Sequence, residues 1–166
     1  MFGCILIAFV LAGLGDQTGT LTFTKPAAWT DRAAASSMRV AEFVVPKASG
    51  DSEDAEVIVY YFGGGGGSVD ANLQRWTSQF QSTKDPVRTT ATVNGLKLTS
   101  LDVSGTYVAE MRPGSAEHYN KPGYRMRATV VETPKGPYFI KLTGPAKTID
   151  SAGAAFEQFL HSLAFK

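Results

Sequence analysis

The sequence predicts a single α+β domain, in which a mainly antiparallel sheet of about seven strands is packed with two helices. Three observations carry this prediction. Alternating apolar segments separated by short turn-forming sequences predict strands joined by hairpins, which makes the sheet mainly antiparallel. Two other segments carry apolar residues at helical spacing. The chain has 166 residues, which suits one domain with a core of its own.

The strand segments have clear stops. The run TLTFTKPAAWT alternates and ends near Pro26, and residues 38–45 form an apolar segment that stops at Pro46. The segment EVIVYYF is apolar on both alternating faces, which predicts a central strand covered on both sides. Asn94 and Gly95 lie between two alternating runs and predict a hairpin. Residues 133–136, TPKG, predict a second hairpin between YRMRATVVE and PYFIKLTG.

Two amphipathic helices are predicted. The apolar stripe of the first consists of Val69, Leu73, Trp76 and Phe80. Ser68 is placed to cap its N-terminus through the side-chain oxygen. The second helix closes the chain, and its predicted N-cap is Asp150. Its apolar face consists of Ala152, Ala155, Phe156, Phe159, Leu160 and Leu163.

The N-terminal residues 1–15 are interpreted as a signal peptide or a truncated leader, and residues 16–166 as the single α+β domain. Residues 2–14 are apolar, too few to span a bilayer, and small residues follow them. The first positive charge is Lys25, so the basic start of a typical signal peptide is missing. We therefore expect an exported protein, periplasmic or extracellular, that meets a membrane only through this leader.

Composition narrows the function classes. Sixteen Lys and Arg residues face fifteen Asp and Glu residues, so the net charge is +1 and no nucleic-acid partner is expected. Cys4 is the one cysteine, which excludes a disulfide within the chain. Histidine occurs only twice, so no metal site and no cofactor are predicted.

The order of elements resembles the family that includes the photosystem protein PsbP and the Ran-binding protein Mog1. The similar features are an early strand with a Pro-and-Trp segment (FTKPAAW), a mid-chain helix, and a closing hairpin and helix from YRMRATVVE onward. The resemblance implies a sandwich of antiparallel sheet and helices that serves as a binding or accessory module. The chain is also similar to small exported bacterial proteins of unassigned function that share YYFG, a glycine-rich run and N-x-x-R-W.

A glycine-rich turn joins the central strand to the first helix. It consists of Gly63, Gly64, Gly65, Gly66 and Gly67, followed by Ser68. Successive backbone N–H groups before a helix N-terminus can hold an anion. However, no lysine lies within the turn to reach a phosphate, and the dinucleotide fingerprint is incomplete. The two interpretations are a mobile corner, which we favour, and an anion or ligand loop.

A second candidate site is cationic. Arg125 and Arg127 alternate on one face of a predicted strand and Tyr124 points to the other, while Arg112 and His118 lie in the preceding loop. If these residues gather, they can bind a carboxylate, a phosphate or an acidic surface. The alternative is a solvated face of mixed charge, because glutamates are interleaved with them.

These observations predict an exported, non-enzymatic binding or accessory module that contacts a protein partner or an envelope component. We expect it to be a monomer. The alternative function is a small-ligand or anion-binding protein that uses residues 63–67. A hydrolase with His118 as its base ranks last, because no Gly-x-Ser-x-Gly elbow accompanies it. Trp29 follows Pro26 in a loop, and an exposed Trp29 would mark an interaction surface.

Overall fold

The computed structural model describes residues 19–82 and 84–166. The predicted leader, residues 1–15, and Cys4 lie outside the described residues. The elements are β1 (Leu21–Thr22), β2 (Thr30–Arg32), β3 (Arg39–Val45), β4 (Ala55–Tyr61), α1 (Val69–Thr77), β5 (Phe80–Ser82), β6 (Val87–Val93), β7 (Leu96–Tyr107), β8 (Lys121–Glu132), β9 (Tyr138–Pro145), α2 (Ala146–Ser151), α3 (Gly153–His161) and β10 (Ala164–Phe165).

The main sheet has the strand order β2-β3-β4-β9-β8-β7-β5, and β6 also pairs with β7. A small second sheet joins β1 to β10. Every pairing between these strands is antiparallel, so the predicted α+β class is confirmed. The strands of the described residues exceed the predicted seven because β1, β2, β5 and β10 are only two or three residues long. Strands this short leave no alternation to detect.

Both hairpins lie where the sequence predicts them. Asn94 and Gly95 connect β6 to β7, with Val93 opposite Leu96. Their φ angles of 47° and 80° match the two left-handed positions of a type I′ turn. The turn at residues 133–136 connects β8 to β9, where Val131 lies opposite Tyr138.

The sheet has two covered faces, which we call the α3 face and the α1 face. Strand β4 is covered on both sides: Val57 and Val59 belong to the core of the α3 face, and Tyr60 packs against the core of the α1 face. On the α3 face, helices α2 and α3 contribute Ile149, Ala152, Phe156, Phe159 and Leu160. On the α1 face, helix α1 contributes Leu73 and Trp76, which pack with Val103, Met126 and Phe139. The side chains of the sheet alternate between these two cores.

Both tryptophans belong to the cores. Trp29 is 3% exposed, and its ring lies 5.9 Å from that of Phe43 and 5.3 Å from that of Phe159. Trp76 is 2% exposed and packs edge-on against Phe139. The hypothesis that Trp29 is an exposed binding aromatic is therefore wrong, because the segment after Pro26 folds onto the α3 face.

The closing helix differs from the prediction. Helix α2 begins at Ala146, and Asp150 lies inside it rather than at its N-cap. Asp51 supplies the missing cap, since its Oδ2 accepts a hydrogen bond of 2.9 Å from the backbone N–H of Thr148. The partners are separated by 97 residues. Local sequence signals for helix starts cannot detect a cap that comes from so far along the chain.

Candidate ligand-binding groove

The glycine-rich turn is a packed corner. Gly64 and Gly66 have φ angles of 89° and 107°, a region that favours glycine. A Cβ atom on Gly66 would lie 2.6 Å from the ring of Phe139, and one on Gly136 would lie 2.4 Å from the Cα atom of Gly64. The turn thus packs closely against the β8–β9 turn. This contact accounts for glycines at 64, 66 and 136 by steric fit, and it leaves the anion-loop hypothesis as a prediction.

Ser68 acts as the N-cap of α1. Its Oγ accepts a hydrogen bond of 3.2 Å from the N–H of Ala71. The buried Asn72 side chain donates to the carbonyl oxygens of Gly66 and Ser68, at 2.8 and 2.9 Å. These bonds hold the glycine-rich turn against the first turn of the helix. The cap also occupies one of the backbone N–H groups that this helix end could otherwise offer to an anion.

Arg125 and Arg127 lie on the α3 face, where carboxylates pair with both. Arg125 contacts Asp102 of β7 and Asp150 of α2, and hydrogen bonding to Asp102 raises the pKa of Arg125 despite its partial burial. Arg127 pairs with Glu157 of α3, and its guanidinium carbon lies 5.2 Å from the ring centroid of Phe156. These arginines therefore attach the C-terminal helices to the sheet.

The remaining members of the predicted patch lie elsewhere. Arg112 is exposed, 3.6 Å from a carboxylate oxygen of Glu117. The Nδ1 of His118 is 2.8 Å from the carbonyl oxygen of Val108. Tyr124 belongs to the core of the α1 face, and burial raises its pKa to about 12. The structure thus separates Arg125 and Arg127 from His118 and Tyr124 by placing them on opposite faces of the sheet.

A groove of about 570 Å³ opens on the α1 face. Its walls are the C-terminal end of α1, strands β3 and β4, and the segment 108–119 that follows β7. The N–H of Val108 donates to the carbonyl oxygen of Gln79 at 2.8 Å, and that of Tyr119 donates to Ala109 at 2.8 Å, so the segment is held against the end of α1. The polar and charged side chains that line it include those of Arg39, Tyr60, Arg75, Tyr107, His118 and Lys141.

Lys141 is the central charged group of this groove. It lies in the middle of β9, between Ile58 on β4 and Ala128 on β8. Its Nζ donates a 3.0 Å hydrogen bond to Oε1 of Gln79, a neutral amide. Among the described residues, Lys141 forms no salt bridge within 4.0 Å. A buried ammonium without a carboxylate partner is costly and favours its neutral form.

Burial is the main cause of a lowered pKa at Lys141, which falls from 10.5 to about 8. The negative charge of Glu56 opposes this shift, whereas the positive charges of Arg75 and Arg39 add to it. Near neutral pH the amine is therefore a cation beside two other cations. This arrangement is favourable for an anion that enters the groove and unfavourable without one.

The acidic residues at and beside the groove already accept hydrogen bonds: Glu110, which lines it, accepts one of 2.7 Å from the N–H of Gly114. The carboxylate of the buried Glu42 accepts hydrogen bonds from Arg32 and Arg39, at 3.0 and 2.9 Å, and from the N–H of Ala35. Burial alone would raise the pKa of Glu42, but these donors hold it below its ordinary value. Glu56 lines the groove, yet its carboxylate pairs with Arg32. Lys141 is thus left without a close acidic partner.

Neutral hydroxyl donors line the groove as well. Burial raises the pKa of Tyr60 and of Tyr107, so both phenols keep their protons at neutral pH. Arg39 lies over the ring of Tyr60, with its guanidinium carbon 5.6 Å from the ring centroid. Arg75 contacts Oδ1 of Asn72 in α1 and retains further N–H donors, because a guanidinium carries five.

Sequence reasoning missed Lys141. The signal was present, since Lys141 interrupts the apolar run YFIKLTG at a position that alternation assigns to a sheet face. A lysine in such a strand is equally compatible with a solvent-exposed face. Only the packing of α1 and segment 108–119 over β9 shows that this one is covered.

No family model and no curated protein matches this chain. Solved structures do match. The cyanobacterial PsbP of Synechocystis aligns with a TM-score of 0.50 and 14% identity, over 93% of this chain and 96% of its own. The fold is PsbP-like. The predicted resemblance to PsbP is thereby confirmed at the level of architecture, and at this identity the likeness concerns the fold alone.

A second structural match comes from Pseudomonas aeruginosa. It is a protein of unknown function suggested to be a regulator, with a TM-score of 0.51 and 18% identity. The alignment covers 87% of this chain and 96% of that protein.

Among residues 19–82 and 84–166, no cluster of three or more His, Cys, Asp or Glu side chains is arranged to hold a metal ion. None of the helices described there is long and apolar enough to cross a membrane.

Proposed function

We propose that this PsbP-like chain is a binding module that takes an anionic ligand in the groove of the α1 face. The observation that carries the proposal is Lys141, a half-buried amine in a cavity of about 570 Å³ without a salt-bridge partner among the described residues. Arg39 and Arg75 line the same cavity. Ligand sites commonly combine an enclosed, partly apolar cavity with a few converging polar groups.

Electrostatics favours an anion over a neutral ligand. A carboxylate or phosphate beside Lys141 would replace the missing counter-charge, and its interaction would be strengthened by the low dielectric of the covered face. The aromatic side chains of Tyr60 and Tyr107 provide apolar surface and neutral hydroxyl donors beside it. The groove, rather than the glycine-rich turn, is thus the ligand site of this proposal.

The test is a thermal-shift measurement on the full chain with phosphate, succinate, citrate and 2-oxoglutarate. A ligand at about 100 times its Kd should stabilise the chain by about 2.7 kcal/mol, or roughly 5–10 °C for a domain of this size. We expect Lys141→Met to lose this shift. Lys97→Met is the matched control, because its lysine is exposed on β7, and it should retain the shift.

For each variant, the quantity compared is the change in Tm that the anion causes. The absolute Tm is not compared, because Lys141→Met changes stability even without an anion. An equal shift in Lys141→Met and the unmodified chain would place the anion elsewhere and refute the groove. No shift with any of the four anions would also contradict the proposal.

A second candidate is the protein-partner module predicted from the sequence. The observation that favours it is apolar exposure at the groove: Met111, which lines it, is 45% exposed. Exposed apolar side chains grouped near a polar rim are typical of interaction surfaces. A partner protein or envelope component is the proposed occupant, and export remains a prediction from the N-terminal sequence.

This second candidate can be tested with a photo-crosslinking amino acid at position 111, used in the native host. Position 87 is the control, because Val87 is 58% exposed and lines the opposite α3 face. We expect one defined protein adduct at 111 and none at 87. Equal adducts at both positions, or none at either, would argue against a docking surface beside the groove.

A further inference from the structure

We propose that Lys141 is a nucleophilic amine that forms a reversible imine with a small carbonyl compound carrying an anionic group, such as a 2-oxo acid or a phosphorylated aldehyde. The proposal rests on the proposed function, since it uses the same groove, and it adds covalent chemistry at one atom. The shared chemistry of these ligands is a carbonyl carbon placed a short distance from a carboxylate or phosphate.

The position of Lys141 supports this role. Its flanking strands present Ile58 and Ala128 beside it, and its Nζ contacts the neutral Oε1 of Gln79 at 3.0 Å. A lysine engaged with a carboxylate is held as the ammonium ion, which has no lone pair to react. Gln79 is neutral and does not hold Lys141 in its charged form in this way, so the amine loses its proton more easily.

The two cations near the amine favour its neutral form, whereas the negative charge of Glu56 opposes it. Burial and the positive charges of Arg75 and Arg39 lower the pKa of Lys141 to about 8. At pH 8 about half of the amine is then neutral, whereas an exposed lysine is almost fully protonated. Desolvation or a neighbouring cation is a recognised way to activate lysine toward carbonyl groups.

The reaction balances without a further reagent. The lone pair of Nζ attacks the carbonyl carbon and gives a carbinolamine. The C–O bond of the carbinolamine then breaks, the oxygen leaves as water with the two protons that the neutral amine carried, and a C=N bond remains. The phenols of Tyr60 and Tyr107 line the groove and keep their protons, so they are suited to donate hydrogen bonds to the departing oxygen. No electron is transferred to or from the protein.

The two arginines would select the ligand. Arg39 and Arg75 lie in the same groove as Lys141 and present planar guanidinium donors that match carboxylate and phosphate oxygens. A cavity of about 570 Å³ is large enough for a small metabolite and its anionic group. An uncharged aldehyde or ketone lacks this second contact and should react more slowly.

The test is reductive trapping on the full chain at pH 8. Pyruvate and glycolaldehyde phosphate are the anionic probes, propanal is the uncharged one, cyanoborohydride reduces any imine, and peptide mass spectrometry locates it. We expect Lys141 to be labelled at least roughly tenfold faster than the exposed Lys97 with an anionic probe, because its neutral fraction is much larger. The two anionic probes distinguish a carboxylate ligand from a phosphate ligand.

A double variant separates the role of the two arginines from that of the Lys141 amine. Arg39→Met combined with Arg75→Met should slow labelling by the anionic probes more than labelling by propanal, because loss of the two cations raises the pKa of Lys141 for every probe and removes the anion contact for the anionic ones alone. The remaining propanal labelling checks that the amine is still accessible in a folded chain. Labelling of Lys141 no faster than of Lys97 would overturn this inference. If anions still gave thermal shifts that depend on Lys141, the proposed function would stand while the imine chemistry failed. Labelling by propanal as fast as by glycolaldehyde phosphate, which is also an aldehyde, would refute anionic selection.

Discussion

Gly136→Ala is expected to lower the free energy of unfolding by about 3 kcal/mol or more. At this position φ is 104°, and an added Cβ would meet the Cα atom of Gly64 at 2.4 Å. The backbone conformation alone costs an alanine about 1–3 kcal/mol. Overpacking adds about 1–3 kcal/mol, because the contact is with backbone, which cannot move aside like a flexible side chain. Urea denaturation measured by circular dichroism gives the value directly.

Gly63→Ala is the matched control for this change. Gly63 lies in the same corner and also has a positive φ, of 62°, but a Cβ there would meet nothing within 4 Å. We therefore expect a clearly smaller loss, due to backbone strain without a clash. If both variants lost the same stability, the close approach of the two turns would not be what demands glycine at position 136.

Lys141→Met is expected to raise the free energy of unfolding by about 3 kcal/mol at pH 7. The pKa of Lys141 lies at about 8, below its ordinary value of 10.5. At about 1.4 kcal/mol for each pKa unit, burying the ammonium costs the folded state about 3 kcal/mol wherever the lysine is charged in both states. Methionine has a similar unbranched shape and carries no charge, so it removes this cost.

The pH dependence gives the sign of the effect. Between about pH 8 and 10.5 the unfolded chain still holds a proton on Lys141 that the folded chain has released, so the unmodified chain gains stability as pH rises. The advantage of Lys141→Met should therefore be constant below about pH 8 and shrink through this window. The measurement is urea denaturation of both proteins at several pH values.

Lys97→Met serves as the control, because the Lys97 side chain is 62% exposed beside Glu132. Its stability relative to the unmodified chain should change little over the same pH range. A difference between Lys141→Met and the unmodified chain that did not shrink above pH 8 would show that Lys141 keeps an ordinary pKa. The groove would then lack the electrostatic property on which both proposals depend.

Much of the fold could be predicted from local patterns. Asn94 and Gly95 form the predicted turn because few other residues accept two left-handed positions in succession. Ser68 caps α1 as its sequence position indicates. The end of the chain was less predictable: α2 takes its cap from Asp51, and the short strands β1 and β10 pair across almost the full length of the described chain.

The candidate site was less predictable than the fold. Alternation correctly separated Arg125 from Tyr124, but it gave no information on what would face each side chain. The carboxylates of Asp102 and Asp150 come from β7 and α2, and they pair with Arg125 in the folded chain. The residues gathered around Lys141 come from β3, β4, α1, β7 and segment 108–119. Their proximity depends on long-range pairing, which a single sequence does not display.

The sequence by itself determined the α+β class, the antiparallel connections and the two turns, because these depend on side-chain period and on backbone angles within a few residues. The tertiary structure alone decided which charges are partnered. Packing places carboxylates against Arg125 and Arg127 and only a neutral amide against Lys141. The electrostatic energy of a side chain depends on burial and on neighbours in space, so the same residue type can be a structural ion pair on one face and a ligand-binding candidate on the other.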